Sequence, residues 1–478
     1  EVPDFERAGD ADSNNTYDLG TVIITNVDGG MIDFPLSVRT LNVPSMVTLR
    51  TNVVNVTLDI YNSNVIENLI EFVDFDALMT TSAMAGNLAY NYELAGADAI
   101  YFKTVLNTLK TAGDFGFRSI YENGGVYNFQ VNYIPDENGT FETLYVTVTI
   151  AEPQWREIIP SAAWAERNHF ESVVLSNNDI LILGGSLGNG NLANDIWRSS
   201  DGGSNWEEIT ASAPWRPDYD LRAVGLLDNE LLVTSDFVIP NGGKQLGNDI
   251  WISDRNFNWN NINDSAPWSN YNTTYELVLL KNNDILFILN KGNYSLSVAN
   301  EINQNFEVWL SSDKGISWSL IKEGGDYSGN VSKIALQVVV LTNNDILHIR
   351  SYLANKDGFV DTLLSSDAGT NWTLINSSTD ERFRTSFEVV VLPNNDILSM
   401  GGYVYGTFSA INDVWRSRDG GRNWTDITPA DHWSPRFHFK AVFLPNKGTL
   451  VMGGAGAIGG VYNKNDVWLR EEYNRHYY

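Results

Sequence analysis

A turn of the form S-x-D-x-G-x-x-W recurs from residue 199 onward, and a repeat of this kind constrains the fold more than any single residue. The copies run from Ser199 to Trp206, Ser311 to Trp318, Ser365 to Trp372 and Ser417 to Trp424. A degraded fifth, Ile252 to Trp259, keeps Asp254 and Trp259 but has Asn256 at the glycine position. Asp201, Asp254, Asp313, Asp367 and Asp419 follow one another at 53, 59, 54 and 52 residues. A period of about fifty residues is the length of one propeller blade.

A second element runs in step with the first. Two apolar strands around an Asn/Asp turn occur at 174–181, 279–286, 340–347 and 391–398, with looser copies at 225–232 and 443–450, six in all. Between the elements lies Asn-Asp-Ile/Val-Trp, at 194–197, 248–251, 412–415 and 465–468. Each unit therefore reads as an inner hairpin, a third strand, the turn, and a fourth strand of Trp-x-x-Ile type. The last unit stops after its third strand at Trp468, while Trp155 to Ile158 has the form of a fourth strand with no turn ahead of it. Residues 154–160 are expected to close a ring beside the final unit, hiding the edges that a linear stack leaves open. The prediction is an all-β chain: a flexible acidic arm over 1–17, a β-sandwich-like domain over 18–152, and a six-bladed β-propeller over 153–478.

The turns resemble the Asp-box repeats of sialidase-like (BNR) propellers. The Gly-Gly strand ends at 184–185, 401–402 and 453–454 are similar to those of kelch-type, galactose-oxidase-like blades. The resemblance covers 154–478 and implies architecture rather than activity. It places the boxed turns on the face away from an active or binding site, and assigns function to the connections between strands 2 and 3 and between one blade's fourth strand and the next blade's first. Those 2–3 loops vary in length: 186–193, 236–247, 290–305, 351–358, 403–411 and 455–463. The resemblance also sets limits. Sialidases use three arginines, a Tyr–Glu pair and an acid Asp, and their Arg-Ile-Pro motif is missing; the Tyr–Cys copper centre of galactose oxidase is excluded because the chain has no Cys. No residue carries over as catalytic.

The repeated Asp residues invite a catalytic role, yet their setting argues for structure. An Asp after the third strand accepts bonds from its own turn, the Gly supplies φ > 0, and Trp206, Trp259, Trp318, Trp372 and Trp424 bury between blades. The 4–1 connections carry Trp164, Trp215, Trp268 and Trp433, which either stack on sugar rings or pack on neighbouring blades. The six inner strands align on Leu175, Leu226, Leu280, Leu341, Leu392 and Leu444. Eight residues upstream stand Arg167, Asp218, Asn272, Lys333, Arg384 and Arg436, and six upstream His169 and His438. Even offsets share one sheet face, so these side chains are candidates for a positive channel mouth that binds an anion. The competing reading pairs each arginine with a carboxylate of the next blade.

Charge and composition narrow the partners. Lys plus Arg number 31 against 59 Asp plus Glu, a net −28 that repels nucleic acid. Absent Cys removes disulfides and thiolate metal sites, and the five His form no zinc motif. No apolar run is long enough to span a membrane, and the chain opens at Glu1 without Met, suggesting a processed N-terminus. Abundant Asn, Ser, Thr, Gly and Tyr read as secreted or surface-displayed. Before the propeller, 21–25, 46–50, 54–60, 126–133 and 144–150 read as strands, while 64–79 and 99–110 suit helix as well as strand. The stretch 125–150 is similar to the last two strands of a cadherin- or immunoglobulin-like sandwich; calcium would rest on that resemblance alone, since the cadherin motifs do not appear in order. The leading reading is a non-catalytic recognition or adhesion protein whose propeller face binds a glycan or a protein. The alternatives are a glycosidase or lyase of acidic sugars, and a structural subunit self-associating through its N-terminal domain.

Overall fold

The inner hairpins show why the chain folds into repeated sheets. In the first, Leu175 N–H donates to Asp179 O (2.9 Å) and Asn178 N–H to Leu175 O (2.9 Å), with Asn178 at φ 68°. Asn229, Asn283, Asn344 and Asn395 repeat this turn with φ between 58° and 72°. Asn tolerates that left-handed conformation better than a branched residue does. The turn thereby sets the register of the first two strands in these five blades.

The computed structural model describes residues 153–471 apart from 218–220, 235–236, 239–243, 246–248, 265, 269–273, 292–304, 325–330, 355–356, 380–383, 405–406, 408, 446 and 457–461, and before them the backbone of strands between 16 and 150. It divides into two units, Glu1–Pro153 and Gln154–Tyr478. The second unit is a six-bladed β-propeller.

Blades 1, 3 and 4 are antiparallel sheets of four successive strands, and blade 2 is a four-stranded antiparallel sheet with a small ribbon, Phe237–Val238 paired with Lys244–Gln245, between its second and third strands. They begin at Glu171–Val174, Arg222–Gly225, Thr274–Leu279 and Val331–Val340. Blade 5 begins at Glu388–Val391, with Arg384–Thr385 pairing the same second strand, Ile397–Val404. Blade 6 takes Lys440–Leu444, Gly448–Ala455 and Asn463–Arg470 from the end of the chain and Trp155–Ile159 from its start. Trp155 faces Arg470 and Glu157 faces Trp468, so the ring closes. First strands of adjacent blades contact one another all the way round the axis. In blades 1 and 4 the second and third strands run on as paired ladders into the expected 2–3 loops, leaving only 189–190 and 355–356 between strands. Main-chain bonding extends where length alone suggested loop.

The core lies in the seams between blades. Leu181 and Leu183 of blade 1, for example, cluster with Leu231 and Val233 of blade 2, and Ile180 and Ile182 with Leu450 and Met452 of blade 6. Each second strand is buried on both faces, which accounts for its continuous apolar run.

The boxed turns are small hydrogen-bonded units. Asp367 accepts from Ser365 Oγ (2.9 Å), Asn371 N–H (2.8 Å) and Asn371 Nδ2 (2.6 Å), while Gly369 N–H donates to Ser365 Oγ (2.9 Å). Asp201, Asp313 and Asp419 accept equivalent bonds. Trp372 Nε1 donates to Gly369 O (2.8 Å). In the degraded copy Asp254 still collects Asn256 and Asn258 N–H, but buried Ser253 Oγ has no hydrogen-bond partner among the described residues.

In the first unit, Val126–Ile134 pairs antiparallel with Glu142–Ile150, which also pairs parallel with Val53–Leu58. Glu71–Asp74, Phe102–Val105 and Thr108–Thr111 form a separate sheet, so the described parts of the two ambiguous stretches are strand. The strand expected at 46–50 lies outside the described residues, and so does the arm expected over 1–17 except for its last two residues, which begin the strand Thr16–Thr25 instead.

Candidate functional site

The Asn-Asp-Ile/Val-Trp strand and the 4–1 connection lock together. Asn465 Nδ2 donates to Ala162 O and Trp164 O (3.0 and 3.1 Å), Asn194 Nδ2 to Ala213 O and Trp215 O, and Asn412 Nδ2 to Trp433 O. The Asp that follows receives an arginine. Arg167 meets Asp195 with two bonds of 2.7 Å and donates to Gly184 O (2.8 Å). Arg436 does the same with Asp466 (2.8 and 2.7 Å) and Gly453 O, and Arg384 with Asp413 (2.7 Å), Ser399 Oγ and Gly401 O. Trp197, Trp415 and Trp468 donate to these same carboxylates.

The glycine pairs serve this lock. Gly454 N–H donates to Arg167 O and Gly402 N–H to Arg436 O, and a Cβ on Gly454 would come within 2.5 Å of Phe439 Cβ.

Two expectations are corrected here. Arg167 and Arg436 have no exposed side chain and Arg384 little, and each is paired within its own blade, so these cations do not form a positive mouth; nor is the partner an acid of the next blade. Lys333 belongs to the first strand of blade 4, but its side chain, like Asp218 and Asn272, lies outside the described residues. Trp164, Trp215, Trp268 and Trp433 are buried, meeting Trp206, Trp259, Trp318 and Trp155 edge-on, so none offers a face to a sugar.

Among the described residues, what remains at the mouth spans blades 5, 6 and 1. Ser386, His438 and His169 occupy equivalent places two residues after the arginines, all left-handed, with φ of 56°, 49° and 52°. His169 N–H donates to His438 O (3.1 Å) and His438 N–H to Ser386 O (3.3 Å). The two imidazoles stack with centroids 3.3 Å apart, and the row continues through Phe437 (5.1 Å from His438) to Tyr403 (5.2 Å from Phe437). Histidine and serine held at positive φ are strained, and such strain persists only where the surrounding structure over-determines it. Beside the row, Asn463 Nδ2 donates to Ser186 O (3.1 Å) and Asn168 Nδ2 donates to Asn463 Oδ1 (2.5 Å), tying the 2–3 hairpins of blades 6 and 1. These hairpins carry Tyr462, 76% exposed, and Leu187, 37% exposed.

Two residues further along the inner strands lies a ring the sequence reading passed over: Glu171, Arg222, Glu276, Gln337, Glu388 and Lys440, one per blade and four upstream of the aligned leucines. Lys440 Nζ bridges Glu171 (3.1 Å) and Glu388 (3.5 Å); Arg222 reaches Glu276 (3.2 Å) and Glu171 (3.9 Å). Burial pushes the Glu388 carboxyl up to about 7, against the pull of Lys440 and with Glu171 and Glu276 adding repulsion. Burial raises Glu276 as well, with Arg222 opposing it. Burial works against the Lys440 charge, but Glu171 and Glu388 outweigh it and hold the ammonium up. The same alignment, taken at an offset of four, would have found all six.

On the opposite face an open depression of about 610 Å³ is lined by Asp228, Glu230, Asp254 and Arg255. Its carboxylates are engaged: Lys314 takes Glu230 (2.6 Å) and Asp228 (3.4 Å), and Asp254 serves its turn. The mouth is the better candidate because its groups converge from three blades.

No family model matches the chain, and no curated protein matches it. Among solved structures, a Dyadobacter fermentans protein of unknown function is similar at 15% identity over 67% of this chain and 100% of its own, TM-score 0.47. A Penicillium chrysogenum α-L-arabinanase complexed with arabinobiose is similar at 15% identity over 67% and 99%, TM-score 0.45. A fungal AA5 alcohol oxidase in complex with copper is similar at 13% identity over 72% and 67%, TM-score 0.41. Similarity at this level transfers no activity.

Proposed function

We propose that the chain is a secreted or surface-displayed recognition protein whose propeller binds a glycan at the channel mouth over blades 5, 6 and 1. The observation that carries this reading is the row Tyr403, Phe437, His438 and His169, partly exposed, next to Tyr462 and the linked amides of Asn168 and Asn463. Aromatic faces stack on the apolar faces of sugar rings, and amides supply directional bonds to hydroxyls. The boxed Asp and Trp residues hold the far face together, as Asp-box turns do, and the first unit, read as a cadherin-like sandwich, spaces or anchors the propeller. With its arginines neutralised, the mouth favours neutral sugars over the anionic ligand expected from sequence. A glycan array followed by titration calorimetry tests the reading. His438→Ala and Tyr462→Ala should each weaken binding tenfold or more, on the order of 1–3 kcal/mol as for base–aromatic stacking, while Asp367→Ala leaves it unchanged. Equal affinity in the mouth variants and the wild type would remove the site.

A second reading has its own observation. Glu388, its carboxyl pushed up to about 7 by burial, shares Lys440 with Glu171, and a pair of neighbouring carboxyl groups is what acid–base cleavage of a glycosidic bond requires. Release of reducing sugar from any bound glycan, abolished by Glu388→Gln with binding retained, would favour this glycosidase over the recognition protein.

A further inference from the structure

Blade 4 holds a buried histidine that the mouth does not use. His348 stands on the second strand, Ile346–Ala354, opposite Val338 on the first strand and Leu363 on the third, and is 1% exposed. The other blades place Ile182, Val233, Phe287, Ser399 and Val451 at this register position. Its ring stacks on Phe306 of blade 3 (5.4 Å, 29°) and meets Trp372 edge-on (5.6 Å, 84°), so the cluster seals the seam between blades 3 and 4. Neither Nδ1 nor Nε2 has a hydrogen-bond partner among the described residues. A neutral imidazole is tolerated there as an apolar ring; an imidazolium would be a buried charge with nothing to solvate it.

We propose that His348 makes the seam between blades 3 and 4 acid-labile, so that this seam opens ahead of the others as pH falls below neutral. Among the described residues the surrounding charges offer no counter-ion. Arg350, two residues along the same strand, is a cation, and its partner Asp361 on the third strand also accepts Tyr352 Oη and Ser377 Oγ. Glu307, next to Phe306 in blade 3, accepts Trp309 Nε1, and Asp367 serves the box ahead of Trp372. The first strand presents the uncharged Gln337, Val338 and Val339 around the opposite position. Burial, with repulsion from Arg350, holds the imidazole down at about 3, so it stays neutral in the closed seam while an opened seam takes up a proton. With an ordinary histidine in the open form, the opening equilibrium shifts by about 30-fold between neutral pH and pH 5.

Hydrogen exchange of the full chain at pH 7.5 and pH 5, corrected for intrinsic rate, tests this in the wild type and in His348→Phe, which copies Phe287 of blade 3. Peptides over 305–311, 346–354 and 357–365 should lose protection about 30-fold more at pH 5 in the wild type than in the variant. Equal loss in both proteins, or loss that begins in another seam, overturns the proposal. Should His348→Phe not fold, His348→Leu carries the same comparison, and the order in which the wild-type seams open stands as an independent measurement.

Discussion

Blades 1, 5 and 6 and blade 4 answer the same demand with different residues. All six blades keep an acid at one position of the third strand: Asp195, Asp249, Glu307, Asp361, Asp413 and Asp466. In blades 1, 5 and 6 the arginine arrives from the 4–1 connection, passing the first residue of a Gly-Gly pair. In blade 4 that first glycine position is occupied by Arg350 itself, which bonds Asp361 through Nε (2.9 Å) and Nη2 (2.7 Å). The loop tryptophan goes the same way: Trp164 and Trp433 cover the outer-strand Trp of their blades, whereas Phe306 and His348 cover Trp372. The acid is therefore the fixed element, and the cation and the ring that complete the seam can come from whichever element reaches it. Where they come from the 4–1 connection, that connection is pinned over the channel and presents His169, His438 or Ser386 at its tip.

The largest effect should come from removing the cations. Arg436→Ala and Arg350→Ala each strand a buried carboxylate and should each cost about 3–5 kcal/mol in denaturant unfolding. Matching losses would make the two arrangements equivalent; a loss below about 1 kcal/mol for Arg350→Ala would show that blade 4 does not depend on its pair and would break the comparison.

A second difference lies in the channel ring, where blade 5 has Glu388 and blade 4 has Gln337. Glu388 titrates near 7 in the fold against an ordinary 4.5, so the unfolded chain releases its proton first as pH rises. Stability is therefore highest below 4.5 on this account and is lost as pH climbs through 7, by up to about 3 kcal/mol. Glu388→Gln, which gives blade 5 the blade 4 residue, should remove that loss, so the variant gains on the wild type between pH 5 and pH 8 by about 1–3 kcal/mol after the lost Lys440 contact is counted. Parallel pH–stability curves for the two proteins would mean that the ring is wet enough to titrate normally.

These contrasts were unequally legible in the sequence. The boxed turns specify blade number because each repeats a local bonding pattern that needs no distant partner, and the Trp155 strand specifies closure because the last unit lacks the fourth strand it supplies. The arginines were visible at their aligned positions, but Asp195 follows Arg167 by 28 residues and was noted only as part of a strand motif. Pairing across that distance depends on the lock between the third strand and the 4–1 connection. Burial of the four loop tryptophans likewise follows from packing on the outer-strand tryptophans. Arg350 and His348 were hidden for a different reason: they break the repeat, and a repeat-based alignment treats such positions as noise. The stacking of His169 on His438 requires the first and last blades to meet, so it became visible only with the ring closed.

The smallest expected effect tests whether the difference between blades 4 and 5 stops at the boxed turn. Asp367 and Asp419 share three bonds, from the serine two residues back and from the main chain and amide of an asparagine four residues on, and Asp419 also accepts Arg422 N–H (3.1 Å). Burial opposes the charge, at Asp419 as the largest single influence, but the bonds together outweigh it and hold both carboxyls below their ordinary value, so their support is present at neutral pH and is lost as pH falls through the acid range. Each turn is largely solvated, and water replaces much of what is removed. Asp367→Ala and Asp419→Ala should therefore cost about 1–2 kcal/mol apiece, the net worth of one or two hydrogen bonds. Agreement between the two within a few tenths of a kcal/mol, measured by thermal unfolding, would confine the divergence of blade 4 to its inner three strands and first connection. A much larger cost at Asp367 would mean that the turn carries load passed through Trp372 to the His348 seam.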